Sequence, residues 1–396
     1  MNVLIISQYY YPDSFRINDI AEELVKQGHN VKVVTGLPDY ANSVIPKEYK
    51  FFKKRHEIIN GVEIVRVPTL ARRKGVLFRM LNYTSFMISS VLYATFCSKK
   101  NIDVIFSYQT SPIFQVYPAI KFKKSTKKEL IVYCCDLWPE SLKAWGIQES
   151  SFIYKKVKKI STKIYNKADK VAITSKPFRK YLNDVCDLPD EKMVYLPQHC
   201  EDMYSEIVGE YQENDCIDFV FAGNIGSVQN VDCIIKATKE IKTNKKFIVH
   251  IVGNGSELDN LKALAKELDI QEKIVFHGRH PAEKMIDFYK MADCTLLTLR
   301  GGDFIGSTLP AKCQTYLSLG KPIVGAIDGA GYEVIKESDC GDCVAANDYK
   351  NYAIIMQDVI ENFDKYKQKG INGRRYYEEN FTKEIFMNDF IKIISE

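Results

Sequence analysis

Two glycine-broken strand ends stand thirty residues apart in the second half of this 396-residue chain. One reads Phe219-Val-Phe-Ala-Gly-Asn-Ile-Gly226 and the other Phe247-Ile-Val-His-Ile-Val-Gly-Asn-Gly-Ser-Glu257. Each is a short apolar run that stops at Gly-Asn and soon enters a helical pattern. Glycine there lets backbone N–H groups approach a ligand that a side chain would hold off. A helix that starts after such a turn points its positive end at the ligand, and phosphate is the usual guest. The pair points to a nucleotide or nucleotide-sugar site built on Gly223, Asn224, Gly226, Gly253, Asn254 and Gly255. In the first half, Asp136 follows the apolar run Ile131-Val-Tyr-Cys-Cys135 and precedes Trp138 and Pro139. A carboxylate at the end of a buried strand is costly unless it is used. Asp136 is therefore either an acceptor-hydroxyl partner or general base, or the cap of the following helix.

The elements that must hold these residues alternate between strand and helix, the pattern of parallel α/β architecture. Strands are expected at 3–7, 31–35, 62–67, 104–108, 130–135 and 171–175, then at 219–222, 247–252, 274–276, 294–299 and 322–326. A helix over 17–27 carries the apolar stripe Ile17, Ile20, Ala21, Leu24 and Val25, and Gly28 stops it. Further helices are expected at 231–241, 258–268, 282–291, 310–319 and 383–394. The acidic, proline-containing stretch around 187–215 breaks the alternation. The expected organisation is a first domain over 1–190, a linker over 191–215, a second domain over 216–380 and a C-terminal helix over 381–396. Two βα units in tandem suggest a ligand cleft between them.

Composition excludes several classes. Hydrophobic and charged fractions of 46% and 27% are ordinary for a globular protein. The start Met-Asn-Val-Leu-Ile-Ile-Ser is a strand without a basic region, so no signal peptide is expected, and the eleven cysteines read as reduced cytosolic thiols. The net charge of +5 hides a split: residues 1–200 hold 32 Lys+Arg against 18 Asp+Glu, and residues 201–396 hold 23 against 32. Only the basic first half is suited to an anionic partner. Lys155, Lys159, Lys163 and Lys167 recur every four residues, either a merely solvated face or one offset by an external anion. The run 80–97 has no charge and lies between basic clusters, but its Asn, Ser and Thr content suits a core or cleft-lining helix better than an interfacial or spanning one. No recognised nucleic-acid-binding motif appears, so no nucleic-acid partner is expected.

The order of signals in the second half is specific. After the two glycine turns come Ile274-Val-Phe-His-Gly-Arg279, then Met291-Ala-Asp293, then Leu309-Pro310 opening a helix that ends Gly320-Lys-Pro-Ile-Val324. This order resembles the donor domain of retaining family 4 glycosyltransferases with the GT-B fold: α/β, two Rossmann-like domains facing a cleft, with a C-terminal helix returning to the first. Phe-Ala-Gly-Asn-Ile-Gly with Gln229, and Asp136-Leu-Trp-Pro-Glu-Ser141, are most similar to the subgroup that builds capsule and O-antigen units, N-acetyl-L-fucosamine transferases included. The resemblance implies a UDP-sugar donor, a polyprenyl-diphosphate-linked saccharide acceptor, no cofactor, and a cytoplasmic enzyme peripheral to the anionic inner face of the cell membrane. It also implies that Ser307, Thr308 and Leu309 contact the donor from the loop before the helix. Ser307 or Thr308 would cap that helix. Lys312, one turn in, would stabilise the departing diphosphate, unless it is only a solvated lysine. Arg279 is a second candidate cation.

The chain departs from the family in two respects. The usual pair of glutamates would fall on Ser307 and Thr315, and neither is acidic, so the bidentate contact to the ribose diol is lost. The basic residues common after the first glycine turn fall near Asn224 and Gln229, which puts weight on Lys312. No DxD pair stands on a strand-end loop, so no obligatory metal is expected. Before the first helix, Asp13 and Arg16 offer polar groups for the acceptor, with Asp13 or Ser14 as helix cap the rival reading. A UDP-sugar 2-epimerase of the same fold and a catalytically silent nucleotide-sugar-binding partner are the alternatives.

Overall fold

The computed structural model describes every residue except 41–42, 52, 74, 210, 212–213 and 303–307. It divides into two units, residues Met1–Leu196 with Met387–Glu396, and Pro197–Phe386.

The first unit is an eight-stranded sheet in the order β3-β4-β2-β1-β5-β6-β7-β8. Its strands are β1 (Asn2–Ile6), β2 (Asn30–Thr35), β3 (His56–Ile59), β4 (Val62–Arg66), β5 (Val104–Gln109), β6 (Glu129–Cys134), β7 (Lys170–Ile173) and β8 (Met193–Tyr195). All pairs are parallel except β3 against β4. Helices α1 (Arg16–Lys26), α2 (Val76–Phe96), α3 (Tyr117–Thr126), α4 (Phe152–Lys167) and α5 (Pro177–Cys186) connect them. Central strands in such a sheet are covered on both faces, which is why β5 is buried at every position. Helix α1 buries Ile17, Ile20, Ala21 and Leu24, and Gly28 follows it in the left-handed region at φ 84°. The stretch expected as an irregular linker is partly regular, because Val194 pairs with Ala172 and so adds β8 to the sheet edge.

The second unit is a six-stranded, all-parallel sheet in the order β11-β10-β9-β12-β13-β14. Its strands are β9 (Cys216–Ala222), β10 (Lys246–Val252), β11 (Ile274–Gly278), β12 (Cys294–Thr298), β13 (Ile323–Ala326) and β14 (Gly341–Val344). Around it lie α6 (Asp202–Ser205), α7 (Val231–Glu240), α8 (Leu258–Glu267), α9 (Ala282–Met291), α10 (Ala311–Ser318), α11 (Gly329–Ser338), α12 (Tyr349–Glu361) and α13 (Phe363–Asn380). One core cluster gathers Phe219, Phe221, Ile234, Val249 and Met356, and a second gathers Val220, Leu297, Cys313, Tyr316 and Ile327. The last helix, α14 (Lys383–Ser395), ends in the first unit, where the Phe390 ring meets Phe106 edge-on at 4.8 Å and Lys170 Nζ donates to Ile393 O at 3.0 Å.

Candidate functional site

In each sheet the strand order reverses once, between β1 and β5 and between β9 and β12. Ligands of open α/β sheets bind outside the carboxyl ends of the strands at such a reversal. Most of the residues singled out above lie at or beside these two places, with Asp136 after the neighbouring β6 and Arg279 beyond the edge strand β11.

In the second unit the turns after β9, β10 and β11 are laced main chain to main chain. Gly223 N donates to Val252 O at 2.9 Å, Gly253 N to Gly278 O at 2.8 Å, and Ile225 N to Asn254 O at 2.9 Å. Gly223 and Gly253 adopt φ near 146° and 147°, a region closed to most side chains. A Cβ on Gly253 would lie 1.8 Å from Gly223 O, and one on Gly255 2.1 Å from Ile225 O, so the contact itself requires glycine. Asn254 Oδ1 accepts from Gly255 N at 2.8 Å. Gln229 folds back on the first turn: its Oε1 accepts from Gly226 N at 3.1 Å and from Asn224 Nδ2 at 3.2 Å. Asn224 and Gln229 thus shape the turn through each other. Arg300 was not foreseen. Its Nε donates to Ser227 O at 2.9 Å and its Nη2 to Asp232 Oδ1 at 2.9 Å, tying the loop after β12 to the turn after β9.

Lys312 is the second residue of α10, at the helix end that presents unpaired N–H groups. Its Nζ lies 3.8 Å from the Phe221 ring centroid and only 3.1 Å from where a Gly223 Cβ would stand. That Nζ is buried and makes no hydrogen bond among the described residues. Burial pushes its pKa down to about 7, since a desolvated ammonium is costly. The reading of Lys312 as a solvated lysine does not fit this placement. Pro310 occupies the cap position of α10 without a side-chain hydrogen bond, so Thr308 does not cap the helix as expected. A proline at that position can offer no side-chain acceptor. Ser307 lies outside the described residues. Leu309 is buried in the second core cluster, and Thr315 is buried with its Oγ1 accepting from Cys200 Sγ at 3.8 Å. Arg279 is exposed just beyond β11.

In the first unit Asp136 follows β6, partly buried. Its Oδ2 accepts from Ser111 Oγ at 2.8 Å, and Trp138 Nε1 donates to that same Ser111 oxygen at 3.2 Å. Burial raises the Asp136 pKa, and the bonds from Ser111 pull it back. The following 3-10 turn has Pro139 at its cap and no side-chain cap bond, so Asp136 is not the helix cap. Asp13 is buried, and its Oδ2 accepts from Asp39 N at 3.2 Å and Tyr40 N at 3.1 Å. It braces the loop after β2 rather than capping α1, whose cap is Phe15 with no side-chain bond. Arg16 opens α1, and its charge pulls against the burial that raises the Tyr108 and Tyr133 phenols, on β5 and β6.

A polar cluster that sequence reasoning missed surrounds Asp39. Asp39 Oδ2 accepts from Arg72 N at 2.6 Å and from Asn82 Nδ2 at 2.9 Å, and Asn82 Oδ1 accepts from Gln8 Nε2 at 2.9 Å. Burial, ahead of the opposing Arg72 N–H, pushes the Asp39 carboxyl up to about 6. The Arg72 guanidinium stacks over Tyr40 at 4.6 Å, and Tyr9 and Phe15 complete the aromatic group at 4.9 Å and 4.8 Å from Tyr40. Asp39 carries the same signal that singled out Asp136, an acid just past an apolar strand. Arg72 and Asn82 carry none, since only the fold brings them there.

Among the described residues, no group of three or more His, Cys, Asp or Glu side chains is placed to hold a metal ion. Residues 15–198 match the family Glycosyltransferase Family 4, and residues 206–376 match Glycosyl transferases group 1. The chain is 25% identical to the probable glycosyltransferase WbjE of Pseudomonas aeruginosa over 73% of each chain. It is 21% identical to N-acetyl-alpha-D-glucosaminyl L-malate synthase of Bacillus anthracis over 94% of this chain and 90% of that one. The crystal structure of Anabaena HepE in complex with UDP and glucose superposes with a TM-score of 0.72 at 12% identity, covering 100% of this chain and 99% of that one.

Proposed function

We propose that this chain, a GT-B glycosyltransferase of the group 1 and family 4 type, moves a sugar from a UDP-sugar to a polyprenyl-diphosphate-linked saccharide with retention at the anomeric carbon. The sugar is an N-acetylated amino sugar of the N-acetyl-L-fucosamine kind. The product enters capsule or O-antigen assembly at the inner face of the cell membrane, where the enzyme is peripheral. One observation carries the reading: the buried Lys312 Nζ has no hydrogen-bond partner among the described residues and faces the Gly223 turn at the start of α10. An unpaired buried ammonium is costly, and a diphosphate seated there would offset the cost while using the turn and helix N–H groups. The HepE complex holds UDP in the same fold, which supports a uridine nucleotide as the partner.

The resemblance to retaining family 4 enzymes supplies the chemistry of this reading. The bond from the anomeric carbon to the diphosphate oxygen breaks as the acceptor oxygen attacks from the same face. The departing diphosphate takes the acceptor proton, and Lys312 stabilises the charge that remains. Asp136, held through Ser111, orients the acceptor hydroxyl, and Asp13 and Arg16 shape the acceptor side. Donor contacts come from Gly223, Asn224, Gly226, Gln229, Gly253, Asn254 and Gly255, with Arg279 and the 307–309 loop beyond them. Thr315 offers the ribose a single hydroxyl in place of a carboxylate.

The test is a thermal-shift panel of nucleotide sugars with and without EDTA, followed by product analysis on a lipid-diphosphate acceptor. UDP and one UDP-sugar are expected to raise the melting temperature equally in both conditions, and the product is expected to keep the donor's anomeric configuration. A shift without transfer to any lipid-linked acceptor would make the chain a silent nucleotide-sugar-binding partner. Release of a 2-epimer would make it an epimerase.

A further inference from the structure

Helix α2 is covered on one side only. Asn82, Tyr83, Phe86, Ser90 and Ala94 are buried, while Leu77, Leu81, Ile88, Leu92 and Phe96 form an exposed row, with Leu77 70% and Phe96 83% exposed. The spacing of four, seven, four and four places that row along one face of the helix. Its 21 residues contain a single charge, Arg79, and no acid. Arg72 and Arg73 precede it and Lys99 and Lys100 follow it. Among the described residues no helix is long and apolar enough to cross a membrane.

The neighbouring helices are basic where they are exposed. Helix α3 packs against both α2 and α4. Its last turn carries exposed Lys124, with exposed Lys127 and Lys128 just beyond the helix. Helix α4 exposes Lys155, Lys159, Lys163 and Lys167, has no Asp or Glu, and begins with Phe152 and Ile153 exposed. An apolar row with cations at both ends, beside a field of lysines, has the composition of a surface that lies in a bilayer interface. A second copy of the chain is a poor occupant, because pairing this face with itself would bring lysine against lysine.

We propose that the outer face of the α2–α3–α4 layer docks on an anionic lipid bilayer, with the α2 row seated at the headgroup–acyl boundary and the α3 and α4 lysines over the lipid charges. This assignment rests on the reading of a membrane-borne acceptor. It makes α2 the principal contact, and α4 supplies the electrostatic attraction.

Co-sedimentation with vesicles of phosphatidylcholine, with and without phosphatidylglycerol, tests it on the full chain. The parent is expected to bind the anionic vesicles and to release them as salt rises. The double variant Ile88→Ser/Leu92→Ser, at two exposed positions, is expected to lower partitioning about tenfold or more at low salt, because binding scales with buried apolar area. The triple variant Lys155→Gln/Lys159→Gln/Lys163→Gln is expected to lower it as well and to flatten the salt dependence. All three proteins should show the same UDP-induced thermal shift, which certifies the fold. Vesicle binding that is unchanged in Ile88→Ser/Leu92→Ser, or absent in the parent, overturns the docking face. A concentration-dependent dimer in light scattering that Ile88→Ser/Leu92→Ser abolishes would also overturn it, in favour of a second copy. A parent that binds vesicles but gives no shift with any nucleotide would leave the docking face standing and remove the donor reading.

Discussion

The two switch-point sites are built from different materials. In the second unit, Gly223, Gly253 and Gly255 bring backbone against backbone, and one buried ammonium, Lys312, supplies the charge. In the first unit the corresponding place is a mesh of side chains: Asp13, Asp39, Arg72 and Asn82 around one loop, and Ser111, Asp136 and Trp138 around another. A backbone cradle suits a constant group such as a diphosphate, which needs N–H donors and one cation. A side-chain mesh suits a variable partner, because each contact can be changed without disturbing the sheet. The proposed donor site should therefore fail abruptly when its cation or its glycines are altered, and the proposed acceptor site by degrees.

The largest effect is expected at Lys312. Lys312→Ala should lower turnover about 10²-fold or more, the scale of losing one preorganised charge stabiliser. Its melting temperature should match or exceed the parent's, since a costly buried charge has been removed. Because burial holds the free lysine near 7, a bound diphosphate should restore its proton. Near pH 8, calorimetry of UDP binding in buffers of different ionisation enthalpy should show proton uptake in the parent and none in the variant. Equal uptake in both, with turnover within a few-fold, would return Lys312 to a structural role and make Arg279 the better candidate.

Asp136→Asn should cost less. The amide still accepts from Ser111 but no longer offers an anion to the acceptor hydroxyl, so turnover should fall by about 10- to 100-fold, as for a charge-assisted hydrogen bond. UDP affinity should not change. A loss of UDP binding would show that the two sites are not separable in the way their construction suggests.

Gly253→Ala addresses the backbone cradle directly. Its Cβ would meet Gly223 O at 1.8 Å, so the two turns must separate. Chemical denaturation should report a loss of about 1–3 kcal/mol, the usual cost of overpacking. UDP should then stabilise the variant much less than the parent. Parent-like stability would mean that the close approach of the two turns is dispensable.

How much of each site could be read from the sequence follows the same division. Glycine turns announce themselves because few other residues satisfy the backbone, and the Gly-Asn ends of β9 and β10 are contiguous in the chain. The second fold unit was legible for the same reason, apolar strands and glycine stops being local signals. The Asp39 cluster joins residues 8, 39, 72 and 82, which only the sheet order brings together. The short strand β8 was hidden inside a stretch of acids and prolines, and its pairing with β7 is a tertiary fact. The α2 row was hidden by its own composition. Asn82 and Ser90 weaken the apolar signal, yet both are buried on the opposite face, where Asn82 serves the Asp39 cluster.

The smallest effect expected, and the finest probe of the mesh, is the charge state of Asp39. Its carboxyl is pushed up to about 6 by burial and by Asp13, against the pull of the Arg72 N–H and guanidinium. The unfolded chain releases this proton near 3.8. Between those two values the folded state holds the proton more tightly, so stability falls as pH rises through the window and stays at its lowest above about 6. Asp39→Asn keeps an oxygen to accept from Arg72 N and Asn82 Nδ2 but carries no charge to desolvate. The variant should therefore melt higher than the parent at pH 7.5, by a margin that narrows as the pH is lowered to 5 and closes below the unfolded value. Groups untouched by the substitution cancel in the difference between the two proteins, which isolates this carboxyl. A margin independent of pH, or a variant that melts lower throughout, would mean that Arg72 and the neighbouring N–H groups fully compensate the buried charge, and that the mesh around Asp39 holds its anion as firmly as the cradle around Lys312 is proposed to hold a diphosphate.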